Sequence, residues 1–194
     1  MKQNKLVALT GGIGSGKSTV LQMVKDLGYK TLSCDAITQD LYKKQRIKRQ
    51  LKKLFPNAVS GFLRLKVDKT VISQEVFANN EKLSLLNELF HKEIMQEVFS
   101  RAKKANGTVF VEVPLLFENG FEKDFDKVWV VVRDINQRLS SVKERSGLTE
   151  EQFFARVKTQ ADYEKLDLSP YTVIHNDGSK EDLQEKVGCL LKNI

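Results

Sequence analysis

The chain has 194 residues, 41% hydrophobic and 29% charged, with a formal net charge of +7. That length buries a sizeable core in one compact unit, and no apolar run reaches the length needed to span a bilayer. Two cysteines, Cys34 and Cys189, exclude a disulfide framework and a cysteine-based metal cluster. Met1 to Lys5 runs straight into the first apolar stretch and leaves no room for a signal peptide, so cytoplasmic residence is expected. The basic charge has two readings, attraction of nucleic acid or of small anionic ligands. Its densest run, Lys43 to Lys53, suits a solvated helix face with Leu41, Ile47, Leu51 and Leu54 on its apolar side. No zinc-finger, helix-turn-helix or RNA-recognition signature accompanies it, so no nucleic-acid partner is expected, and the lack of a spanning segment leads to an expectation of no membrane partner.

In chain order, Lys5 to Thr10 is an apolar strand, followed by a glycine-rich loop and a helix to about Leu27, where Gly28 is a natural stop. Tyr29 to Ser33 is a second strand. A largely helical stretch follows from about Ala36 to Lys104, broken at Pro56, Gly61 and Asn79-Asn80. It is too long for one simple crossover and reads as a substrate-binding insertion. Thr108 to Val113 and Lys127 to Arg133 are buried strands, the second carrying Val-Trp-Val-Val-Val. Asn136 to Lys165 reads as helices interrupted at Gly147, with a capping box at Thr149 and Gln152. Tyr171 to His175 is the last strand, and Ser179 to Asp182 caps a final helix. This alternation is that of an α/β protein with a parallel sheet.

Chemistry concentrates at Gly11-Gly12-Ile13-Gly14-Ser15-Gly16-Lys17-Ser18-Thr19, a P-loop directly behind its strand. Its backbone amides, from Gly12 to Thr19, are expected to cradle the phosphates of a nucleoside triphosphate such as ATP. Lys17 reaches the outer phosphates and the Ser18 hydroxyl contacts Mg²⁺. The switch and base-reading motifs of GTPases are missing, which leaves a small phosphotransferase. Such an enzyme needs a base for the acceptor hydroxyl, and Asp35, just past the second strand, is the best placed. Arg133, Arg138, Arg145 and Arg156 flank or occupy the later helices and suggest a lid that brings positive charge. Arg145 is favoured because it precedes the Ser146-Gly147 break. Glu118 is either a ligand-facing carboxylate or the start of a helix. The turn Asn176-Asp177-Gly178 either passes over a purine base or simply links strand to helix.

Taken together these motifs resemble dephospho-coenzyme A kinases over nearly the full chain. The resemblance rests on Val7 to Val20 with its double glycine, Asp35, Leu89-Phe90-His91, Pro114-Leu115-Leu116-Phe117-Glu118, Arg156 with Gln160, and Val173 to Gly178. It implies a P-loop NTPase of three α/β/α layers, with a central parallel five-stranded sheet, a helical substrate-binding insertion and a helical lid. The corresponding single kinase domain, 1–194, has its core at about 1–35, 105–135 and 166–194, the coenzyme A-binding region at about 36–104 and the lid at about 136–165. The implied reaction is ATP- and Mg²⁺-dependent phosphorylation of the ribose 3′-hydroxyl of dephospho-coenzyme A by a monomer. Asp35, Lys17 and Arg145 are then catalytic. Gly12, Ile13, Gly14, Ser15, Gly16, Lys17, Ser18, Thr19, Arg145, Asn176 and Gly178 hold the nucleotide. Asp35, Lys69, His91, Pro114, Leu115 and Glu118 face the acceptor. The chain departs from the family pattern at Ser33, Cys34, Gln39, Lys69, Lys92, Arg138 and Ser141.

Overall fold

The computed structural model describes residues 5–194, so the N-terminal segment read against a signal peptide lies mostly outside the described residues. The chain divides into two compact units, one of residues 5–33 with Ala102–Ile194 and one of Cys34–Arg101. Among the described residues no helix is long and apolar enough to cross a membrane.

The first unit is built on a five-stranded parallel sheet. Its strands are β1 (Leu6–Thr10), β2 (Lys30–Ser33), β5 (Val109–Glu112), β6 (Lys127–Val132) and β7 (Thr172–His175), in the order β2-β5-β1-β6-β7. β1 lies at the centre, flanked by β5 and β6, which is why its residues 7–10 are all buried. Alternate residues Val7, Leu9, Phe110, Trp129, Val131 and Ile174 belong to one core cluster. Two helices complete that cluster. α1 (Lys17–Asp26) supplies Val20, Met23 and Val24, and α8 (Lys180–Leu191) supplies Leu183, Val187 and Leu191 at helical spacing. Phe110 and Trp129 meet edge to face with centroids 5.0 Å apart.

Helices α6 (Ile135–Ser146) and α7 (Glu150–Lys158) follow β6. Asp134 caps α6, and Gly147 ends it in the left-handed conformation at φ 63°. The capping boxes expected at Thr149/Gln152 and Ser179/Asp182 are both present. The helical reading through Lys165 is corrected: α7 stops at Lys158 and the next residues form turns. The Gln160 amide turns back to the Val157 carbonyl three residues earlier and the Ala161 amide donates to Glu118, so the helical ladder stops. Residues 114–120 likewise turn without starting an α-helix, which removes the helix-start alternative for Glu118.

The second unit contains α2 (Cys34–Lys43), α3 (Gln45–Leu54), α4 (Lys69–Ala78) and most of α5 (Asn80–Lys103). Its helices break near Pro56, Gly61 and Asn79-Asn80 as expected. An antiparallel hairpin of β3 (Val59–Ser60) and β4 (Lys66–Val67), however, interrupts the largely helical stretch. Ion pairs run along the helices: Lys44 to Glu97 at 2.6 Å, Arg101 to Glu97 at 2.9 Å, and a bidentate Arg46–Glu93 pair.

Candidate active site

The phosphate loop occupies the C-terminal end of the central strand, where open parallel sheets bind ligands. Gly16 caps α1 with φ 99°, a conformation a side chain would resist, and a Cβ there would collide with the Asn176 amide. Lys17 Nζ donates to the carbonyls of Gly11 at 2.7 Å and Gly12 at 3.0 Å, which folds the ammonium back over the loop. Cation, loop amides and the N-terminus of α1 together make a site for an anion. Ser18 Oγ donates to Glu112 Oε1 at 2.9 Å. Glu112 ends β5 and pairs in register with Leu9 and Ser33. Sequence reading noted it only as a strand residue, since 94 positions separate it from Ser18.

The loop is braced from several distant segments. The Ile13 amide donates to Gln160 Oε1 at 2.8 Å, and Arg138 Nε donates to the Ile13 carbonyl at 2.8 Å. Gly12 is small for this reason: a Cβ on it would sit 2.5 Å from Arg138 Nη2. Arg138 is half-buried, and burial lowers its pKa from the ordinary arginine value, yet an arginine keeps its charge. Asn176 Nδ2 donates to the Ser15 carbonyl at 2.8 Å, and the Asn176 amide donates to Val132. Glu118 Oε1 accepts from the Ala161 amide at 2.6 Å. The Tyr163 hydroxyl lies 3.5 Å from Thr10 Oγ1, and burial pushes its pKa up to about 12. A cavity of about 400 Å³ adjoins the loop, lined in part by Gly12, Ser15, Arg138, Tyr163, Val173 and His175. Ser15 Oγ is buried there without a hydrogen-bond partner.

Among the expected site residues, Gly12 to Thr19 and Asn176 assemble around one loop. Gly178 lies two residues past Asn176, with Asp182 against it. Arg145 sits two turns beyond Arg138 on α6, exposed and without an ion pair among the described residues. Pro114 and Leu115 follow β5, and Leu115 holds a left-handed φ of 57°. Asp35, Lys69 and His91 belong to the unit Cys34–Arg101. Asp35 is exposed in the first turn of α2, two residues past the end of β2. Lys69 opens α4 with its Nζ 4.3 Å from the Tyr42 ring centroid, and His91 is half-buried on α5. The residue that sequence reading placed least well is Arg138, counted with three other arginines as lid charge. Only the facing of α6 sets it apart.

No group of three or more His, Cys, Asp or Glu side chains among the described residues is arranged to hold a metal ion unaided. Ser18 and Glu112 still offer two oxygens beside the loop, a fit for a hard cation that takes its remaining ligands from phosphates and water.

Comparison with known proteins agrees with this arrangement. The family model described as dephospho-CoA kinase matches residues 5–182. A dephospho-CoA kinase of Thermus thermophilus is 32% identical over 190 residues, covering 97% of this chain and 91% of the relative. A crystal structure from Thermus thermophilus superposes with a TM-score of 0.86 at 32% identity, covering 100% of this chain and 99% of the other. The dephospho-CoA kinase from Campylobacter jejuni has a TM-score of 0.70 at 25% identity, covering 98% and 96%.

Proposed function

Because the chain belongs to the dephospho-CoA kinase family, and catalyses ATP-dependent phosphorylation of dephospho-coenzyme A, we propose that phosphate passes from ATP to the ribose 3′-hydroxyl across the braced loop. The observation that carries this reading is the Lys17 ammonium, held on the Gly11 and Gly12 carbonyls at the mouth of a ring of amides. On nucleotide binding Lys17 exchanges those carbonyls for phosphate oxygens, and the amides between Gly12 and Thr19 that Gln160 and the loop carbonyls do not engage take the rest. Asp35 accepts the proton of the attacking hydroxyl. Arg145, exposed on α6, brings charge to the transferring group when the helical pair α6–α7 closes as a lid, and Arg138 keeps the loop in shape. Asn176 and Gly178 border the nucleotide. Lys69, His91, Pro114, Leu115 and Glu118 form the acceptor side, with residues 36–104 as its binding region.

Mg²⁺ fits Ser18 and Glu112, and when bound it neutralises charge on the outer phosphate oxygens. The monomer is taken as the working unit. Neither cysteine is joined in a disulfide, which suits the cytoplasm.

The deciding experiment is an ATP-dependent assay with dephospho-coenzyme A, adenosine and nucleoside monophosphates, with the product phosphate located by NMR. Transfer to the 3′ position of dephospho-coenzyme A is expected, and preferred transfer to another acceptor overturns the assignment. Asp35→Asn should lower kcat by about 10³-fold with an unchanged circular dichroism spectrum. Near-normal turnover in that variant removes Asp35 as the base.

A further inference from the structure

Leu41 to Val67 contains nine lysines and arginines, at 43, 44, 46, 48, 49, 52, 53, 64 and 66, and no aspartate or glutamate. Three of these cations are neutralised by partners: Lys43 by Asp40, Lys44 by Glu97 and Arg46 by Glu93. The remaining six, Lys48, Arg49, Lys52, Lys53, Arg64 and Lys66, make no ion pair among the described residues. All but Lys48 are exposed.

The tip of the β3–β4 hairpin belongs to this basic stretch. Its base is anchored: Val59 and Leu65 are buried, the Leu65 amide donates to Gln45, and the Asp68 amide donates to Ala58. At the tip the chain turns through Gly61 and presents Phe62 at 95% exposure and Leu63 at 88%. Lys52 Nζ reaches the Gly61 carbonyl at 3.5 Å, which places the basic end of α3 against the tip. Two adjacent large apolar side chains held in water by an anchored hairpin, with Arg64 next in the chain and Lys52 at the Gly61 carbonyl, match a surface both anionic and apolar just beneath its charge. An anionic bilayer has that layering: headgroups meet Lys and Arg, and the acyl boundary takes Phe and Leu. A nucleic acid answers the cations and stacks on Phe62 but has no place for Leu63.

We propose that the Phe62-Leu63 tip and the cations Lys52, Lys53, Arg64 and Lys66 seat this protein on anionic lipid surfaces. The expectation of no membrane partner rested on the lack of a spanning segment, and a surface contact needs none.

The test is sedimentation of the full chain with phosphatidylcholine vesicles, and with vesicles containing about one-third phosphatidylglycerol, at about 0.1 M salt. At least about tenfold more protein should pellet with the anionic vesicles, and the excess should vanish near 0.5 M salt. Phe62→Ser with Leu63→Ser should lower anionic-vesicle binding about tenfold with an unchanged circular dichroism spectrum. Phe62→Trp should show blue-shifted emission on anionic vesicles, against the buried Trp129. Equal pelleting with both vesicle types, or full binding by the double variant, overturns the proposal. So does retention on single-stranded RNA or duplex DNA without vesicle binding, or a raised KM for dephospho-coenzyme A in the double variant without vesicle binding by the parent.

Discussion

The phosphate loop and the α3–hairpin surface are both cationic places where an anion is met, yet they are built in opposite ways. Around the loop, Gly11, Gly12 and Ser15 are buried, and the bracing hydrogen bonds come from 125, 147 and 161 residues away. Along α3 the unpaired cations stand in water, and the ion pairs that secure the helix join exposed or half-exposed cations to the half-buried Glu97 and the buried Glu93. A transferring phosphoryl group tolerates little error in position, so its cradle is over-determined by long-range contacts. A surface that attracts diffuse charge needs density of charge and no fixed geometry.

Substitutions grade this contrast. Lys17→Ala should have the largest effect, lowering kcat by about 10³-fold or more, read by steady-state kinetics at saturating ATP and dephospho-coenzyme A. Arg138→Ala removes a charge-assisted bond and leaves a gap beside Gly12. It should lower kcat/KM for ATP by about 10- to 100-fold while the KM for dephospho-coenzyme A stays put. An equal change in both substrates would show that the brace is general to the fold rather than local to the loop.

The second unit should respond in stability instead. The Arg46 guanidinium bonded to Glu93 holds that carboxyl below its ordinary 4.5, on a side chain only 7% exposed. A depressed carboxylate stabilises the fold above the unfolded pKa and loses that contribution as pH falls through the folded one. Glu93→Gln should therefore cost about 1–3 kcal/mol near neutral pH and flatten the loss of stability below about pH 4.5, measured by urea unfolding across pH. Smallest of all, Tyr163→Phe removes a hydroxyl bonded at 3.5 Å and should change stability by about 0.5 kcal/mol or less, with no new step in the rate profile below pH 10.

The parts of this molecule that were legible before folding are those whose signals are local. The β1–loop–α1 unit is one continuous motif, and Thr149/Gln152 and Ser179/Asp182 cap helices from three residues away. The β3–β4 hairpin escaped because two-residue strands carry no alternation to read. The end of α7 escaped because Gln160 and Ala161 are drawn to partners 147 and 43 residues distant, against a sequence that would accept helix. Glu112 beside Ser18, and Arg138 apart from its neighbouring arginines, depend on strand order and helix facing, which no short window contains.

The two hydrogen-bonding groups of the Ile13 peptide have a joint consequence. Arg138 holds the carbonyl and Gln160 the amide, so the 23-residue span from 138 to 160 is closed into a ring upon a single residue of the loop. The ends of such a ring cannot wander independently, and its helices α6 and α7 have only a small set of collective swings. If either clasp lets go, the ring becomes an open chain and the Ile13 peptide keeps one of its two holds. Solvent exchange at one backbone hydrogen, that of Ile13, thus keeps time for the whole helical pair.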